Sequence, residues 1–467
     1  MIARGLLLLL LLGGCTGSAD DTAPRPRPAA TSVDRPQSTT KPTATAPTAT
    51  QPLALAVHAT RAPLDIPVRM AKWIAAGQPV TWAQLEQPGG DVHVRTGARA
   101  VGAVERAVDT IAVVPVGRLR PTVAAASVGG VDPLRDPGDY ALSVDAPTPT
   151  PPATTVTVVG DIMLGRTVAV AAAAAGDAAA PLRPMQRRLA GADITVGNLE
   201  STLSQAGPPQ QGGDSFAAPP SVLNGLDEAG FDVLSLANNH TGDYGDQALV
   251  QTLERVRRSP IESVGAGRDA RRAWRPVVLR RNGTSFGFVA FNAIGETPRA
   301  TRRQPGSAEV RMQPRTGPLD RGDLHRLTTT IGTLSRRVDV VVAMPHWGDQ
   351  YTHEPVPDQR RVGRAMIDAG ADIVVGGHPH WTQGIQLRDR QLVVHSLGNF
   401  VFDMDFSTQT QEGVLLELVF WGSELKGARF VPYVIGPDYA PRRAFGLRAE
   451  AILSAMWAAS DPPLGPE

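Results

Sequence analysis

Five times along this chain a short run of β-branched and other apolar residues gives way to a polar residue of metal-ligand type. Val156–Val159 leads into Gly160-Asp161, and Ile194–Val196 into Gly197-Asn198-Leu199-Glu200. Val233–Leu236 leads into Asn238-Asn239-His240, Val340–Val342 into Pro345-His346-Trp347-Gly348, and Ile373–Val375 into Gly376-Gly377-His378-Pro379-His380. Runs this short and this apolar read as strands buried on both faces. Helical stretches such as Val168–Ala175, Ser221–Ala229, Gln247–Arg257 and Arg360–Ala369 separate them, which is the alternation of an α/β fold. Pro276–Phe291 reads as a hairpin turning at Asn282-Gly283. In α/β sheets ligands bind beyond the carboxyl ends of the strands. The spacing therefore predicts one cleft on which five strand ends converge.

The residues gathered there are two carboxylates, one or two amides and up to four imidazoles, drawn from only nine histidines in the chain. Carboxylate and imidazole donors suit Mn, Zn or Fe, so the pattern predicts a divalent metal site of one or two ions. The alternate imidazoles of His378-Pro379-His380 can serve two adjacent metals, or one metal and a supporting contact. His395 reads as a packing or supporting residue, and Asn399 and Asp403 as residues that order a loop.

Taken in order, Gly160–Arg166, Asn198-Leu199-Glu200, Ala237–His240 with Asp243 and Gly245, His346-Trp347-Gly348, Gly377–His380 and Ser396–Asp403 resemble the calcineurin-like metallophosphoesterases. They are more similar still to the CapA-type branch, the capsule or poly-γ-glutamate synthesis proteins. The match covers about residues 155–405. The resemblance implies a four-layer α/β/β/α sandwich. It implies that Asp161 and His380 bind one metal, that Glu200 bridges, and that Asn239, His346 and His378 bind a second. His240 would then protonate the leaving group, Arg166 would clamp a phosphate or carboxylate, and Asn198 would support Glu200. Two positions depart from the wider superfamily: Met163 stands where it has a ligating histidine, and Glu200 where it has an aspartate. A thioether is a poor ligand for Zn or Mn, so the first metal loses an imidazole.

The rest of the chain places this domain, read as residues 154–440, in an envelope context. Leu6–Leu12 is too short to span a bilayer but suits a signal-peptide apolar core. Leu12-Gly13-Gly14-Cys15, with the only cysteine of the chain, resembles a lipobox. It implies cleavage before Cys15, lipidation there, and anchorage at the outer face of the bacterial cytoplasmic membrane. Residues 16–51, rich in Thr, Pro, Ala and Ser, read as a disordered tether. Residues 52–148 read as a small α/β module. Its Gly77, Thr81-Trp82 and Leu85, with Asp109–Pro115 and Val128–Pro133, resemble pieces of phosphate-type periplasmic binding proteins. Residues 441–467 read as a helix followed by a loose Pro-rich end.

A formal net charge of +1 from 46 basic and 45 acidic residues offers no field to gather nucleic acid. With no second cysteine, intramolecular disulfides and cysteine zinc clusters are excluded. Three functions follow as expectations. One is a metal-dependent hydrolase acting on an anionic cell-envelope polymer or phosphoester. Another is a polymer-binding or assembly factor beside a membrane-bound polymer synthase, its metal structural or vestigial. In the third, the 52–148 module senses a ligand and the larger domain is scaffold.

Overall fold

The computed structural model describes residues 49–388 and 391–466. Cys15 and the segments expected to be a leader and a tether lie, up to residue 48, outside the described residues. The fold is α/β, built on two large sheets. In the first, strand Ala153–Ile162 is central, because its Thr-Val-Thr-Val-Val run is β-branched and apolar on both faces. Ile194–Leu199, Val233–Ser235 and Glu262–Val264 follow it in parallel. On its other side Glu412–Trp421, Glu424–Ile435 and Pro441–Arg443 continue the sheet antiparallel, and Asn399–Val401 pairs with its end.

The second sheet runs Val277–Arg281, Thr284–Asn292, Val340–His346, Ile373–Val375, Gln391–Leu397 and Thr382–Arg388. Its four inner strands are parallel. The expected hairpin is there: Arg281 pairs with Thr284 across Asn282 (φ 49°) and Gly283 (φ 83°), the two positive φ values of a tight hairpin turn.

One apolar core is shared by both sheets, with Val156, Val158, Val196 and Leu416 from the first meeting Phe286, Val342, Ile373 and Val394 from the second. The opposite face of the first sheet packs under helices Arg166–Ala175, Val222–Glu228 and Gly245–Arg258, through Val168, Leu226 and Val256. The opposite face of the second packs under Arg321–Leu334 and Pro357–Asp368, through Leu327, Ile331, Val362 and Met366.

Two expectations about the ends differ from the structure. The strand that opens the smaller module begins at Ala49, and its residues Ala49–Pro52 pair with Ser143–Ala146, so 49–51 are ordered by a partner strand that the local composition does not announce. The carboxyl-terminal stretch is held, not loose. Helix Gly446–Ala458 buries Ile452 and Met456 in the shared core, and Leu464 beyond it is only 2% exposed. Prolines there remove donors without removing apolar surface to bury.

The smaller module is a sheet in which Ala49–His58 is flanked by Thr110–Pro115 and Val123–Ala125. It packs on the large domain through Ala54, Ala56, Val101 and Val114 against Val419 and Trp421. Arg135 pairs with Glu417 at 3.0 Å and Arg429 with Asp132 at 2.9 Å across the same contact. The described residues form one compact unit.

Candidate metal centre

All five predicted strand ends do meet, at the edge where the parallel strands of both sheets finish. Asp161 and Glu200 are fully buried, and His346, His378 and His380 are at most 2% exposed. Atoms of Asp161, Glu200 and His346 that can ligate a cation lie within 4.8 Å of one another. Asn198 ties the group together: Nδ2 donates to Asp161 Oδ1 at 2.9 Å and to Glu200 Oε1 at 3.0 Å, and lies 3.2 Å from His346 Nδ1. Asn238 holds that amide in turn, donating to Asn198 Oδ1 at 3.0 Å.

The loop carrying the two imidazoles threads past Asp161. The His378 N–H donates to Asp161 Oδ2 at 2.9 Å, and His380 Nδ1 lies 3.9 Å from the same oxygen. Gly377 has to be glycine here, since a Cβ would run into Asp161 Oδ1. His380 Nδ1 donates to Asn399 Oδ1 at 2.8 Å, which fixes its ring. Backbone strain gathers around this loop. Arg166, Tyr351, His378 and His380 stand at φ 45°, 61°, 95° and 59°. A non-glycine residue in that region costs about 1–3 kcal/mol and persists only where its surroundings dictate it.

His240 sits at the rim of the cluster. Its Nδ1 is 2.9 Å from Asp243 Oδ2, its Nε2 accepts from Asn239 Nδ2 at 3.0 Å, and its ring stacks on Phe216 at 3.8 Å. Asn239 Oδ1 accepts from His346 Nε2 at 2.9 Å. Arg166 also lies over the Phe216 ring, 4.5 Å from its centroid, with Nε donating to Asp403 Oδ2 at 3.2 Å. Asn399 and Asp403 thus do more than order a loop: one orients His380, the other Arg166.

Charge at the cluster is unbalanced. Among the described residues neither Asp161 nor Glu200 has a lysine or arginine within salt-bridge reach, the nearest basic groups being His380 and His346. Burial, and then the charge of Asp161, hold the Glu200 carboxyl well above its usual range. Burial, followed by the neighbouring imidazoles, pushes His346 and His378 well down, which favours the neutral, ligating form of each ring. Among the described residues, both ring nitrogens of His378 and Glu200 Oε2 are buried without a hydrogen-bond partner. Unpartnered buried lone pairs beside uncompensated carboxylates are costly unless a cation satisfies them. The donor set therefore fits a divalent ion.

Met163 does not face the cluster. It is fully buried in the apolar core under the first sheet, and its sulfur accepts from the Gly165 N–H at 3.1 Å. His395, also fully buried, lies 5.5 Å from the Trp347 ring and outside the cluster.

Three participants had no motif to announce them. Phe216 comes from the loop after Glu200. Glu296 follows a sixth strand end, Thr284–Asn292, and its Oε2 accepts from Asn239 Nδ2 at 2.7 Å. Arg315 in turn donates to Glu296 Oε1 at 3.1 Å. The run of apolar residues before Asn292 was the available signal for Glu296.

Residues 155–404, more than half of the chain, match the family model described as bacterial capsule synthesis protein PGA_cap. The capsule biosynthesis protein CapA of Bacillus anthracis is 33% identical over 268 residues, 56% of this chain and 63% of that protein. The PGA biosynthesis protein CapA of Bacillus subtilis (strain 168) is 30% identical over 263 residues, 56% of this chain and 66% of that protein. The matched stretch spans less than two thirds of either relative's length. Among solved structures, a hypothetical protein from Thermus thermophilus aligns with 60% of this chain and 99% of its own at a TM-score of 0.37 and 16% identity. With its matched region holding every residue of the cluster, this chain belongs to the bacterial capsule synthesis protein family, PGA_cap.

Proposed function

We propose that the chain serves capsule or poly-γ-glutamate synthesis at the bacterial cell envelope, as a metal-dependent hydrolase acting on an amide or phosphoester bond of an anionic polymer. The polymer class rests on the relatives' names, capsule biosynthesis protein and PGA biosynthesis protein. The observation that carries the hydrolytic reading is the pair of fully buried carboxylates, Asp161 and Glu200, with no lysine or arginine among the described residues within salt-bridge reach and the unpartnered ring nitrogens of His378 alongside. The two sheets sharing one core, each backed by helices, support reading the domain as the four-layer α/β/β/α sandwich of the metallophosphoesterases.

Asp161, Glu200, Asn239, His346, His378 and His380 would hold the metal, with Asn198 and Asn399 setting the orientation of the carboxylates and of His380. A bound divalent cation supplies Lewis acidity and a more acidic water. The chain's own groups do the rest. Arg166, fixed by Asp403 and Phe216, orients an anionic group of the polymer at the rim. His240, its Nδ1 held by Asp243, would assist a departing group through Nε2 once that nitrogen turns from the Asn239 N–H that it accepts from here. Burial of the cluster keeps bulk water from screening these charges. Lipidation at Cys15 would keep the domain at the membrane surface, near a polymer synthase.

One observation favours a second reading, a polymer-binding or synthase-assembly factor with a structural ion. Met163 is turned into the core, so the cluster lacks one imidazole of the dinuclear pattern. Hydrolysis of p-nitrophenyl phosphate esters and of poly-γ-glutamate with added Mn or Zn separates the two. Turnover abolished by chelator and by His240→Ala is expected of the hydrolase. A metal-loaded protein that turns over neither substrate would leave only the second reading.

A further inference from the structure

The strand Thr284–Asn292 ends beside Val340–His346, with Asn292 opposite His346 in register. Its continuation is shaped with care. Asn292 accepts from the Ile294 N–H at 2.9 Å and donates to Gly295 O at 2.9 Å. Gly295 and Glu296 then both take positive φ, 86° and 63°. Thr297 Oγ1 accepts from the Gly242 N–H at 2.9 Å, which locks this loop to the one carrying Asn239 and His240.

The result is a carboxylate with two tasks. Glu296 Oε2 accepts a hydrogen bond from Asn239 Nδ2, leaving Asn239 Oδ1 toward His346, and Oε1 accepts one from Arg315 Nη2. Arg315 is 38% exposed, and among the described residues Glu296 is its one hydrogen-bond acceptor. Its Nε and Nη1 make no hydrogen bond to those residues. Arg166, by contrast, is engaged by Asp403 through two nitrogens and lies against Phe216. An ordinary surface ion pair contributes about 0–1 kcal/mol, too little to offset a strained Glu296 backbone at about 1–3 kcal/mol. The strain is understandable if the pair does something besides hold the fold.

We propose that Arg315, carried on Glu296, is a second anion-binding position at this site, so that a chain of carboxylates is gripped at two points, Arg166 and Arg315. A planar guanidinium with unused donors matches a carboxylate in bidentate fashion. Glu296 keeps the guanidinium from folding onto the cluster. The carboxylate character of the ligand rests on the polymer reading given above.

Titration calorimetry on the full chain tests this with three probes: Mn2+, a γ-linked glutamate trimer, and tripolyphosphate. Arg315→Gln is expected to weaken the trimer about 10- to 100-fold, the loss of a charge-assisted hydrogen bond, while Mn2+ binding is unchanged. Equal trimer affinity in wild type and Arg315→Gln overturns the proposal, as does a parallel fall in Mn2+ affinity, which would make Arg315 a structural support. A wild-type chain that binds tripolyphosphate but not the trimer overturns the carboxylate assignment. A wild-type chain that binds the trimer but no Mn2+ overturns the metal reading instead, and the Arg315 comparison still decides this one.

Discussion

Removing the charge of Glu200 should change how the metal-free protein responds to pH. The candidate ligand atoms of Glu200 and Asp161 lie within 4.8 Å, and both residues are fully buried. Two unit charges at that separation repel by about 3.5 kcal/mol at an effective dielectric near 20. Without a cation the protein escapes this by keeping Glu200 protonated, since burial and then Asp161 hold its carboxyl well above the usual range. A raised folded pKa means that the folded state keeps a proton the unfolded state has released. Stability is therefore greatest below the unfolded value of about 4.5. It falls as pH rises, by up to about 1.4 kcal/mol per unit, until the raised folded pKa is passed. Glu200→Gln keeps the shape and an oxygen for Asn198 but has no proton to lose. In chelator, urea unfolding between about pH 5 and about pH 8 should show a falling stability for wild type and a flatter profile for Glu200→Gln. Excess Mn2+ should flatten the wild-type profile too, and raise it by about 2.7 kcal/mol at a hundredfold excess over Kd. Identical pH profiles for both proteins in chelator would refute the reasoning.

Other perturbations follow from single contacts. Gly377→Ala should keep the fold by circular dichroism yet lose metal, because the new methyl group meets Asp161 Oδ1; retained metal would count against the placement of Asp161. Asn198→Ala strips a donor from two buried carboxylates and should cost about 1–3 kcal/mol for each oxygen left unpartnered, with about 10- to 100-fold weaker metal binding, by denaturation and metal titration. His395 is held down to about 3 by burial, with Arg360 and Arg364 adding to it, so the unfolded state takes its proton first as pH falls below about 6.5. That should remove about 2 kcal/mol of stability by about pH 5, and His395→Leu should lack this acid loss. Equal acid sensitivity in the two proteins would sink the assignment.

The strand ends were legible because each pairs a local apolar run with an adjacent ligand-type residue, and the Asn282-Gly283 turn because its chemistry is confined to two residues. What was not legible depends on partners far along the chain. Glu296 and Arg315 are 19 positions apart, and Glu296 reaches Asn239 across 57 positions through a loop that Thr297 ties to Gly242. Ala49–Gln51 look like tether until Ser143–Ala146 pairs with them. The carboxyl-terminal stretch looks loose until Leu464 finds the shared core. Asp403 reads as a loop residue locally and acts through Arg166, 237 positions away.

Metal analysis of the purified protein tests the central claim most directly. Wild type should carry stoichiometric Mn, Zn or Fe, and Asp161→Ala and His378→Ala should lose it with the circular dichroism spectrum unchanged. Wild type that stays metal-free after incubation with these ions, or variants that retain full metal, would contradict the account.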